Sequence, residues 1–206
     1  MTDLDFSRLT QLAEDGPVVK PRRSVASADP MADLRDGPDM RVMAVDQSLR
    51  NTGQVIVVRI EGAIHVNLSK TIRPKVGQSL KGFAQDCAYA LALEDALEWS
   101  TRDFHALIHE TPPFGKVAGP SGGISSKMAA LAVRSAWHRQ GMDSVVHSVQ
   151  AQRARTWLTG NSRADKKEAH ESIASLDITY HEHATNEHER DALLLALFHI
   201  AHTKKV

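Results

Sequence analysis

Carboxylates at the ends of two predicted strands are the residues of this sequence best placed to do chemistry. Asp46 ends the apolar run over residues 42–45, and Glu110 follows a second predicted buried strand over residues 104–109. Functional side chains of open α/β sheets converge at the carboxyl ends of the strands. The two acids are therefore predicted to lie side by side at one edge of a sheet.

A third acid belongs to the last predicted helix, over residues 187–202. Asp191 follows His188 by three residues and Glu187 by four, and these spacings place the three side chains on one face of a helix. Glu189, two residues before Asp191, is predicted to point elsewhere.

Carboxylates carried from distant parts of a chain repel one another unless cations hold them together. Oxygen ligands with a neighbouring imidazole suit Mg²⁺ or Mn²⁺. Two such cations, roughly 3.5–4 Å apart, serve phosphodiester hydrolysis by activating a water molecule and stabilising the leaving oxygen. A zinc site at His181, His183 and His188 is the competing interpretation, but no cysteine accompanies these histidines.

The elements that must position the acids alternate between strands and helices. Residues 53–60 and 63–68 are rich in β-branched side chains and are separated by Glu61-Gly62, a two-residue hairpin signal. The rest of the pattern predicts a helix over 77–100, a loop over 119–123, a helix over 125–140, a strand over 144–149, and helices over 151–158 and 166–175. This order gives a mixed sheet flanked by helices. Core positions within the helices are predicted for Trp99, Trp137 and Trp157.

Composition favours a soluble protein with one core. Among 206 residues, 25 Lys and Arg balance 25 Asp and Glu, and 42% of the residues are apolar. No run approaches the roughly 18 consecutive apolar residues of a membrane span, and the N-terminus lacks the pattern of a signal peptide. The single cysteine, Cys87, excludes an internal disulfide and a cysteine-rich zinc module. A cytoplasmic protein without a membrane partner is expected.

The neutral net charge conceals an asymmetry between two segments. Residues 1–40 carry 5 basic and 8 acidic side chains, whereas residues 41–206 carry 20 basic and 17 acidic ones. Glycine and proline interrupt any periodicity in the first segment. Residues 1–40 are therefore predicted to form a flexible arm that docks either a protein partner or the folded domain of the same chain, and residues 41–206 to form that domain. The net charge does not argue against a nucleic-acid partner.

Four motifs, in this order, resemble the RuvC-type Holliday junction resolvases. Residues 42–53 are similar to the first strand and turn of that family, and residues 108–110 to its second acidic strand. Residues 152–167 are similar to its basic segment, and residues 188–192 to its closing helix. The resemblance covers about residues 41–203. It implies the RNase H-like fold, an α/β fold with a five-stranded mixed sheet flanked by helices, here with an N-terminal extension.

The chain departs from this family at three points. Gln47 stands where the family commonly has proline, so a less rigid turn after Asp46 is expected. Phe114 is offset by about one position from the aromatic residue of the family. The N-terminal extension indicates a divergent member, such as a phage protein, acting in a bacterial cytoplasm or in that of the phage host.

The resemblance implies a metal-dependent endonuclease that resolves four-way DNA junctions by paired symmetric nicks. By this likeness Asp46, Glu110, His188 and Asp191 are catalytic and hold two Mg²⁺ or Mn²⁺ ions, with Glu187 as a further candidate ligand. A homodimer is expected, because two active sites are needed to cut two strands symmetrically. The residues expected to contact DNA are Arg50, Phe114, Lys116, Lys127, Arg153, Arg155, Arg163, Lys166 and Lys167.

Three other functions fit parts of the sequence. Another RNase H-fold nuclease, acting on RNA–DNA hybrids or branched replication intermediates, would use the same acids. An actin- or sugar-kinase-type ATPase matches the Asp-x-Ser-x-x-x-Thr-Gly pattern over residues 46–53, but the remaining chain is too short for two such domains. A non-catalytic junction-binding protein has no need to keep a complete acidic set that repels itself without metal.

Overall fold

The computed structural model describes residues 27–77, 79–97, 103–112, 120–142 and 144–203. The elements in these ranges are, in chain order, α1 (Pro30–Arg35), β1 (Met40–Asp46), β2 (Thr52–Ile60), β3 (Ala63–Ile72), α2 (Gly82–Ala96), β4 (Ala106–Glu110), α3 (Pro120–Arg139), β5 (Val145–Val149), α4 (Ala151–Thr159), α5 (Lys166–Ala174), β6 (Thr179–Tyr180) and α6 (Glu187–His202). No helix in this part of the chain is long and apolar enough to cross a membrane.

The strands form one mixed sheet in the order β5-β4-β1-β2-β3-β6. β1 pairs antiparallel with β2, and β2 with β3, whereas β4 and β5 continue from the other side of β1 as parallel strands. The predicted mixed sheet is confirmed. The predicted count of five strands is wrong, because β6 adds a sixth, parallel to β3. β6 has two residues, too few to show the alternation that identifies a strand in a sequence.

Helices cover both faces of the sheet, so that the central strand β1 is buried on each side. Val42 and Ala44 belong to the core beneath α1, α4, α5 and α6, whereas Met43 and Val45 belong to the core beneath α2 and α3. Successive residues of a strand point to opposite faces. Burial on both faces therefore requires the continuous apolar run, which leaves Asp46 at the end of the strand.

The β2–β3 hairpin turns at the predicted dipeptide. Glu61 and Gly62 both have left-handed backbone angles, with φ of 50° and 79°. Such a two-residue turn matches the twist of the strands that it joins. Asp39 accepts a hydrogen bond of 2.8 Å from Glu61 N, which ties the turn to the segment before β1.

Two helices differ in extent from the prediction. α2 is shorter than residues 77–100, and residues 98–100 lie outside the described residues. α3 begins at Pro120, so residues 120–123 of the predicted loop belong to a helix. Proline suits a first helical turn because it has no N–H to leave unpaired. Trp137 and Trp157 are buried as predicted, and Trp99 lies outside the described residues.

From residue 27 onward the segment before β1 packs against the folded domain, which is one of the two docking modes expected for residues 1–40. The carboxylate of Asp29 caps the first turn of α1. Leu34 is fully buried in the core, and Asp33 accepts a hydrogen bond of 3.0 Å from the Trp157 indole. A helix of six residues shows too little periodicity to stand out among the surrounding glycines and prolines. Residues 1–26 lie outside the described residues.

Candidate active site

Asp46 and Glu110 lie at the carboxyl ends of neighbouring parallel strands. Val45 pairs with His109 in the register of β1 and β4, so the acids that follow them reach one edge of the sheet. Both carboxylates line a cavity of about 30 Å³ together with Asp191 from α6. A cavity of this volume has room for a water molecule or an ion. The structure thus brings the three acids of the sequence together; this space is called the acidic cavity below.

A glutamine side chain holds the two strand ends together. Gln47 is buried, and its amide oxygen accepts a hydrogen bond of 2.9 Å from Glu110 N. Its amide nitrogen donates to Glu110 O. Gln47 thus anchors the turn after Asp46 in a way that the expectation of a less rigid turn did not include. Proline stiffens a turn by fixing φ, whereas glutamine ties this turn to the next strand through two hydrogen bonds.

The first turn of α6 reaches the start of β2 because residue 53 is glycine. A Cβ atom at Gly53 would lie 2.0 Å from the backbone oxygen of His188, where no side chain fits. This close approach brings His188 Nδ1 to 3.0 Å from Asp46 Oδ2. The position of the α6 acids beside β1 therefore depends on the absence of a side chain at Gly53.

Hydrogen bonds at the N-terminus of α6 turn Glu189 away from the acidic cavity. Asn186 accepts from Glu189 N at 3.2 Å and donates to Glu189 Oε1 at 2.6 Å, a reciprocal capping arrangement. Glu189 also accepts from Thr185 N at 2.8 Å and from Thr71 Oγ1 at 2.9 Å. Burial acts to raise the pKa of Glu189, but these hydrogen bonds outweigh it and lower the pKa. Glu189 points away from Asp191, as its spacing predicts, and fixes the start of the helix.

Two side chains of α5 hold Asp191. His170 Nε2 lies 3.0 Å from Asp191 Oδ1, and Lys166 Nζ lies 2.7 Å from Asp191 Oδ2. Lys166 also forms an ion pair with Glu187, so its ammonium bridges two acids of α6. His170 is not among the site residues predicted from the sequence. Its spacing of four residues from Lys166, which puts both side chains on one helix face, is the signal that could have identified it.

The three acids of the cavity differ in their affinity for protons. Burial and the charge of Asp191 raise the pKa of Asp46. Burial and the charges of Asp46 and Asp191 raise the pKa of Glu110 from 4.5 to about 7. Burial acts in the same direction on Asp191, but hydrogen bonds from its two α5 partners outweigh it and lower the pKa. Burial of Lys166 is likewise outweighed by its acidic partners, and its pKa is raised.

The donor set fits a hard divalent cation by its chemistry. Asp46 is a buried oxygen donor and Glu110 a half-buried one, both beside the charge of Asp191, and a cation would relieve the repulsion among them. Among the described residues, no three His, Cys, Asp or Glu side chains lie close enough together to hold a metal ion as they stand. Asp191 is turned toward Lys166 instead, and Glu187 does not line the acidic cavity.

Comparison with known proteins gives matches among solved structures alone. No protein-family model matches the chain, and no curated protein matches its sequence. RuvC of Thermus thermophilus matches with a TM-score of 0.56 and 19% identity, over 79% of this chain and 94% of that one. The same protein in complex with a Holliday junction substrate matches with a TM-score of 0.55 and 19% identity, over 78% and 92%. The yeast mitochondrial Holliday junction resolvase matches with a TM-score of 0.58 and 12% identity, over 83% of each chain.

The chain has the RuvC-type RNase H-like fold. The fold implied by the four motifs is therefore confirmed. Because the coverage extends over most of each matched chain, the likeness concerns the whole RuvC-type domain rather than one supersecondary unit.

Two of the basic residues expected to contact DNA line the acidic cavity of this RuvC-type fold, namely Arg155 and Lys166. Arg155 Nε is buried and has no hydrogen-bond partner among the described residues. The charge of Arg155 acts to lower the pKa of Glu110, against the larger effect of burial. Lys167 follows Lys166 on α5 and lies 3.8 Å from the carboxylate of Glu171.

The other described residues of that set do not line the acidic cavity. The guanidinium of Arg50 lies 5.6 Å from the ring centroid of Tyr89 on α2. Of the remaining described members, Lys127 lies on α3, Arg153 on α4 and Arg163 in the loop before α5. Two members lie outside the described residues, Phe114 and Lys116.

The three histidines of the competing zinc interpretation have separate partners. His181 stacks on His65 with ring centroids 5.7 Å apart, and His183 stacks on Tyr180 at 4.9 Å. His188 instead contacts Asp46, which lines the acidic cavity. The described residues therefore do not form the proposed zinc site.

Proposed function

We propose that the protein is a metal-dependent, structure-selective DNA endonuclease that resolves four-way junctions by paired symmetric nicks. One observation carries the proposal: Asp46, Glu110 and Asp191 line a single ion-sized cavity at the ends of parallel strands. Their burial and mutual repulsion disfavour ionisation of Asp46 and Glu110. Perturbed acids that converge in one place are typical of a catalytic site rather than of a stabilising one.

Magnesium or manganese ions, two per site, are the proposed cofactors. Asp46, Glu110 and Asp191 would hold them. His188 is favoured as the fourth ligand, because it already contacts Asp46, whereas Glu187 is paired with Lys166. Such ions supply the charge that activates a water molecule and stabilises the leaving oxygen of a phosphodiester.

Two basic side chains beside the acids are suited to bind the phosphate that is cut. Buried polar atoms normally have a hydrogen-bond partner, and Arg155 Nε has none among the described residues. A phosphate oxygen at the acidic cavity would supply that partner. Lys166 keeps its charge, because its hydrogen bonds to Asp191 and Glu187 outweigh its burial, and it would orient the same phosphate.

Branched DNA is the proposed substrate. One solved structure of the same fold, RuvC of Thermus thermophilus, is in complex with a Holliday junction substrate. Contacts to phosphates position a protein on DNA without reading its sequence, which suits an enzyme that selects a branched shape. The residues proposed to contact this DNA are those of the sequence-based set, Arg50, Phe114, Lys116, Lys127, Arg153, Arg155, Arg163, Lys166 and Lys167.

A homodimer is the proposed form, joined through an apolar face of α2 and α3. Phe83 and Leu91 on α2 are 69% and 64% exposed, and Ile124 and Leu131 on α3 are 50% and 41% exposed. Exposed large apolar side chains, where they are contiguous, mark an interaction surface, and α2 and α3 pack against each other. A two-fold pair of chains would give the two active sites that symmetric cutting needs. These four residues are called the α2–α3 face below.

Cleavage of a labelled four-way junction tests the proposal. The junction and a matched linear duplex are incubated with the protein in Mg²⁺ and in EDTA. We expect symmetric nicks in the junction, in Mg²⁺ only. Asp46→Asn is expected to abolish cleavage because it removes a ligand charge, and to leave junction binding largely intact because the basic residues remain.

A matched control uses an acid far from the cavity. Asp177 is 86% exposed and paired with Arg35, so Asp177→Asn is expected to cut as fast as the wild type. Binding of the junction without metal-dependent cutting would contradict the proposal and indicate a non-catalytic junction-binding protein. Preferential cutting of RNA–DNA hybrids would contradict it in favour of another RNase H-fold nuclease.

A further inference from the structure

A second, larger concavity lies beside the acidic cavity, between α5, β6 and the start of α6. Its volume is about 790 Å³. Its apolar part is formed by Ile173, Ala174 and Ala184. Cavities on the order of 300–1,000 Å³ hold small organic ligands, so this one accommodates a nucleotide or two rather than a duplex. It is called the β6 groove below.

The β6 groove is in direct contact with the acidic cavity. Lys166 lines both of them. His170 lines the β6 groove, and its Nε2 atom lies 3.0 Å from Oδ1 of Asp191, which lines the acidic cavity. A DNA strand that lies in the groove would therefore contact Lys166 and His170, the two side chains that hold Asp191.

A stacked pair of rings lies in the β6 groove. Tyr180 and His183 both line it, and their rings stack with centroids 4.9 Å apart and planes 19° apart. Tyr180 is held by β6, the short strand that the sequence analysis did not predict. Because every base has a π-face, an aromatic surface of this kind binds bases without regard to sequence.

Charged side chains surround these rings. Lys167 and Arg190 line the β6 groove in addition to Lys166. The guanidinium of Arg190 donates to Ala184 O at 3.3 Å and to Thr185 O at 3.4 Å, which fixes its position.

The acids of the β6 groove are paired with its lysines. They are Glu171, 3.8 Å from Lys167, and Glu187, which pairs with Lys166. Arg190 instead donates to backbone carbonyls, so its charge is available to a phosphodiester backbone.

We propose that the β6 groove binds a short single-stranded segment of the DNA substrate next to the phosphate that is cut. A base would stack on an outer face of the Tyr180–His183 pair, while Lys167 and Arg190 contact the backbone. Bases within a duplex are stacked on their neighbours and do not reach a concave ring surface, whereas unpaired bases do. The inference rests on the proposed nuclease function, because it assigns the groove to the same substrate.

Binding of hexathymidylate in EDTA, followed by fluorescence anisotropy, tests the groove without cleavage. We expect Tyr180→Ala to weaken binding roughly ten-fold, the effect of removing one ring that stacks on a base. His183→Ala provides a second variant with an exposed side chain, and it is expected to act in the same direction. His181→Ala is the matched control, because His181 is also exposed but stacks on His65 and does not line the groove.

Photo-crosslinking identifies the contact directly. Hexathymidylate with one 5-iododeoxyuridine is irradiated with the wild-type protein, and the crosslinked peptides are identified by mass spectrometry. We expect crosslinks at Tyr180 or His183. Crosslinks confined to other parts of the chain would overturn the inference. Thermal melting of each variant verifies that it is folded.

Junction cleavage in Mg²⁺ separates this inference from the proposed function. We expect Tyr180→Ala to raise KM for the junction more than it lowers kcat, because Tyr180 would bind the substrate and not the reacting atoms. If the wild type resolves junctions and Tyr180→Ala changes neither hexathymidylate binding nor KM, the inference falls and the function stands. If the wild type neither cuts nor binds junctions, the function falls, and unchanged hexathymidylate binding in both groove variants overturns the inference as well.

Discussion

The acids of the cavity differ in how far hydrogen bonds and opposite charges offset the effect of burial on their pKa values. Asp191 has Lys166 and His170 within hydrogen-bond distance, and its pKa is lowered. Glu110 has only weaker attractions to Arg155 and Lys166, and burial raises its pKa to about 7. Without a cation, Glu110 therefore holds a proton up to near-neutral pH, and metal binding would have to displace that proton.

The raised pKa of Glu110 predicts a pH-dependent stability of the metal-free protein. The native state binds this proton more tightly than the unfolded chain, so stability falls as pH rises from 4.5 to about 7. Between pH 5 and pH 8, we expect the free energy of unfolding to fall by on the order of 2 kcal/mol less in Glu110→Gln than in the wild type. Urea unfolding in EDTA measures it. Glu61→Gln, at an exposed turn, is the control; equal pH dependence in the wild type and Glu110→Gln would contradict the prediction.

A buried arginine joins the helices at the two ends of the folded segment. Arg59 on β2 is fully buried, and its Nη1 atom donates to Leu34 O of α1 at 3.1 Å and to Ile200 O of α6 at 3.2 Å. It also donates to Pro38 O at 2.7 Å and to Thr203 O at 3.3 Å. The guanidinium thus satisfies carbonyls at the end of α6 while it anchors the segment before β1.

Removal of this guanidinium is expected to destabilise the domain strongly. Arg59→Met leaves several carbonyl groups without a donor in a buried region, and we expect it to lower the free energy of unfolding by about 3 kcal/mol or more. Urea unfolding measures the change. Arg73→Met, at an exposed position after β3, is expected to change it by less than about 0.5 kcal/mol. Similar effects of the two substitutions would show that the Arg59 contacts contribute little.

The assembly of whole chains is predicted to depend on the α2–α3 face. Phe83→Glu places a charge at its most exposed apolar side chain, which would disfavour burial against a second chain. We expect a dimer for the wild type and a monomer for Phe83→Glu by light scattering. Ile60→Glu is the matched control, because Ile60 is 50% exposed but lies on β2, away from this face. A monomeric wild type, or a dimeric Phe83→Glu, would contradict the prediction.

Acid sensitivity of the whole domain is expected to involve His199. Its ring lies on α6 with its centroid 4.5 Å from that of His147 on β5. Burial and the charge of His147 lower the pKa of His199 from 6.5 to about 3. The unfolded chain binds this proton below pH 6.5 and the native state does not, so stability is lost as pH falls from 6.5 toward 3.

A substitution that cannot be protonated tests this expectation. As pH falls from 6.5 to 4.5, we expect the free energy of unfolding to decrease by roughly 2 kcal/mol less in His199→Gln than in the wild type. Urea unfolding at the two pH values measures it, with the exposed His138→Gln as control. If His199→Gln loses as much stability in acid as the wild type does, another group is responsible.

Local patterns in the sequence were sufficient to predict the strands that carry Asp46 and Glu110. Alternation and apolar runs identify β1 to β5, because a strand repeats every two residues and a doubly buried strand tolerates no polar side chain. The Glu61-Gly62 turn is encoded by backbone preferences of the turn itself. Asp46 and Glu110 follow directly, since each ends an element whose extent the pattern defines.

Only the tertiary structure revealed the contacts that position those acids. Gln47 reaches Glu110 across 63 positions of the chain, and Gly53 accommodates the backbone of His188 across 135. His170 reaches Asp191 from another helix. Such contacts depend on which elements become neighbours after folding, and a local pattern carries no information about its distant partner. The sequence alone therefore determined which acids would converge, and the packing of α5 and α6 decided which side chains hold them there.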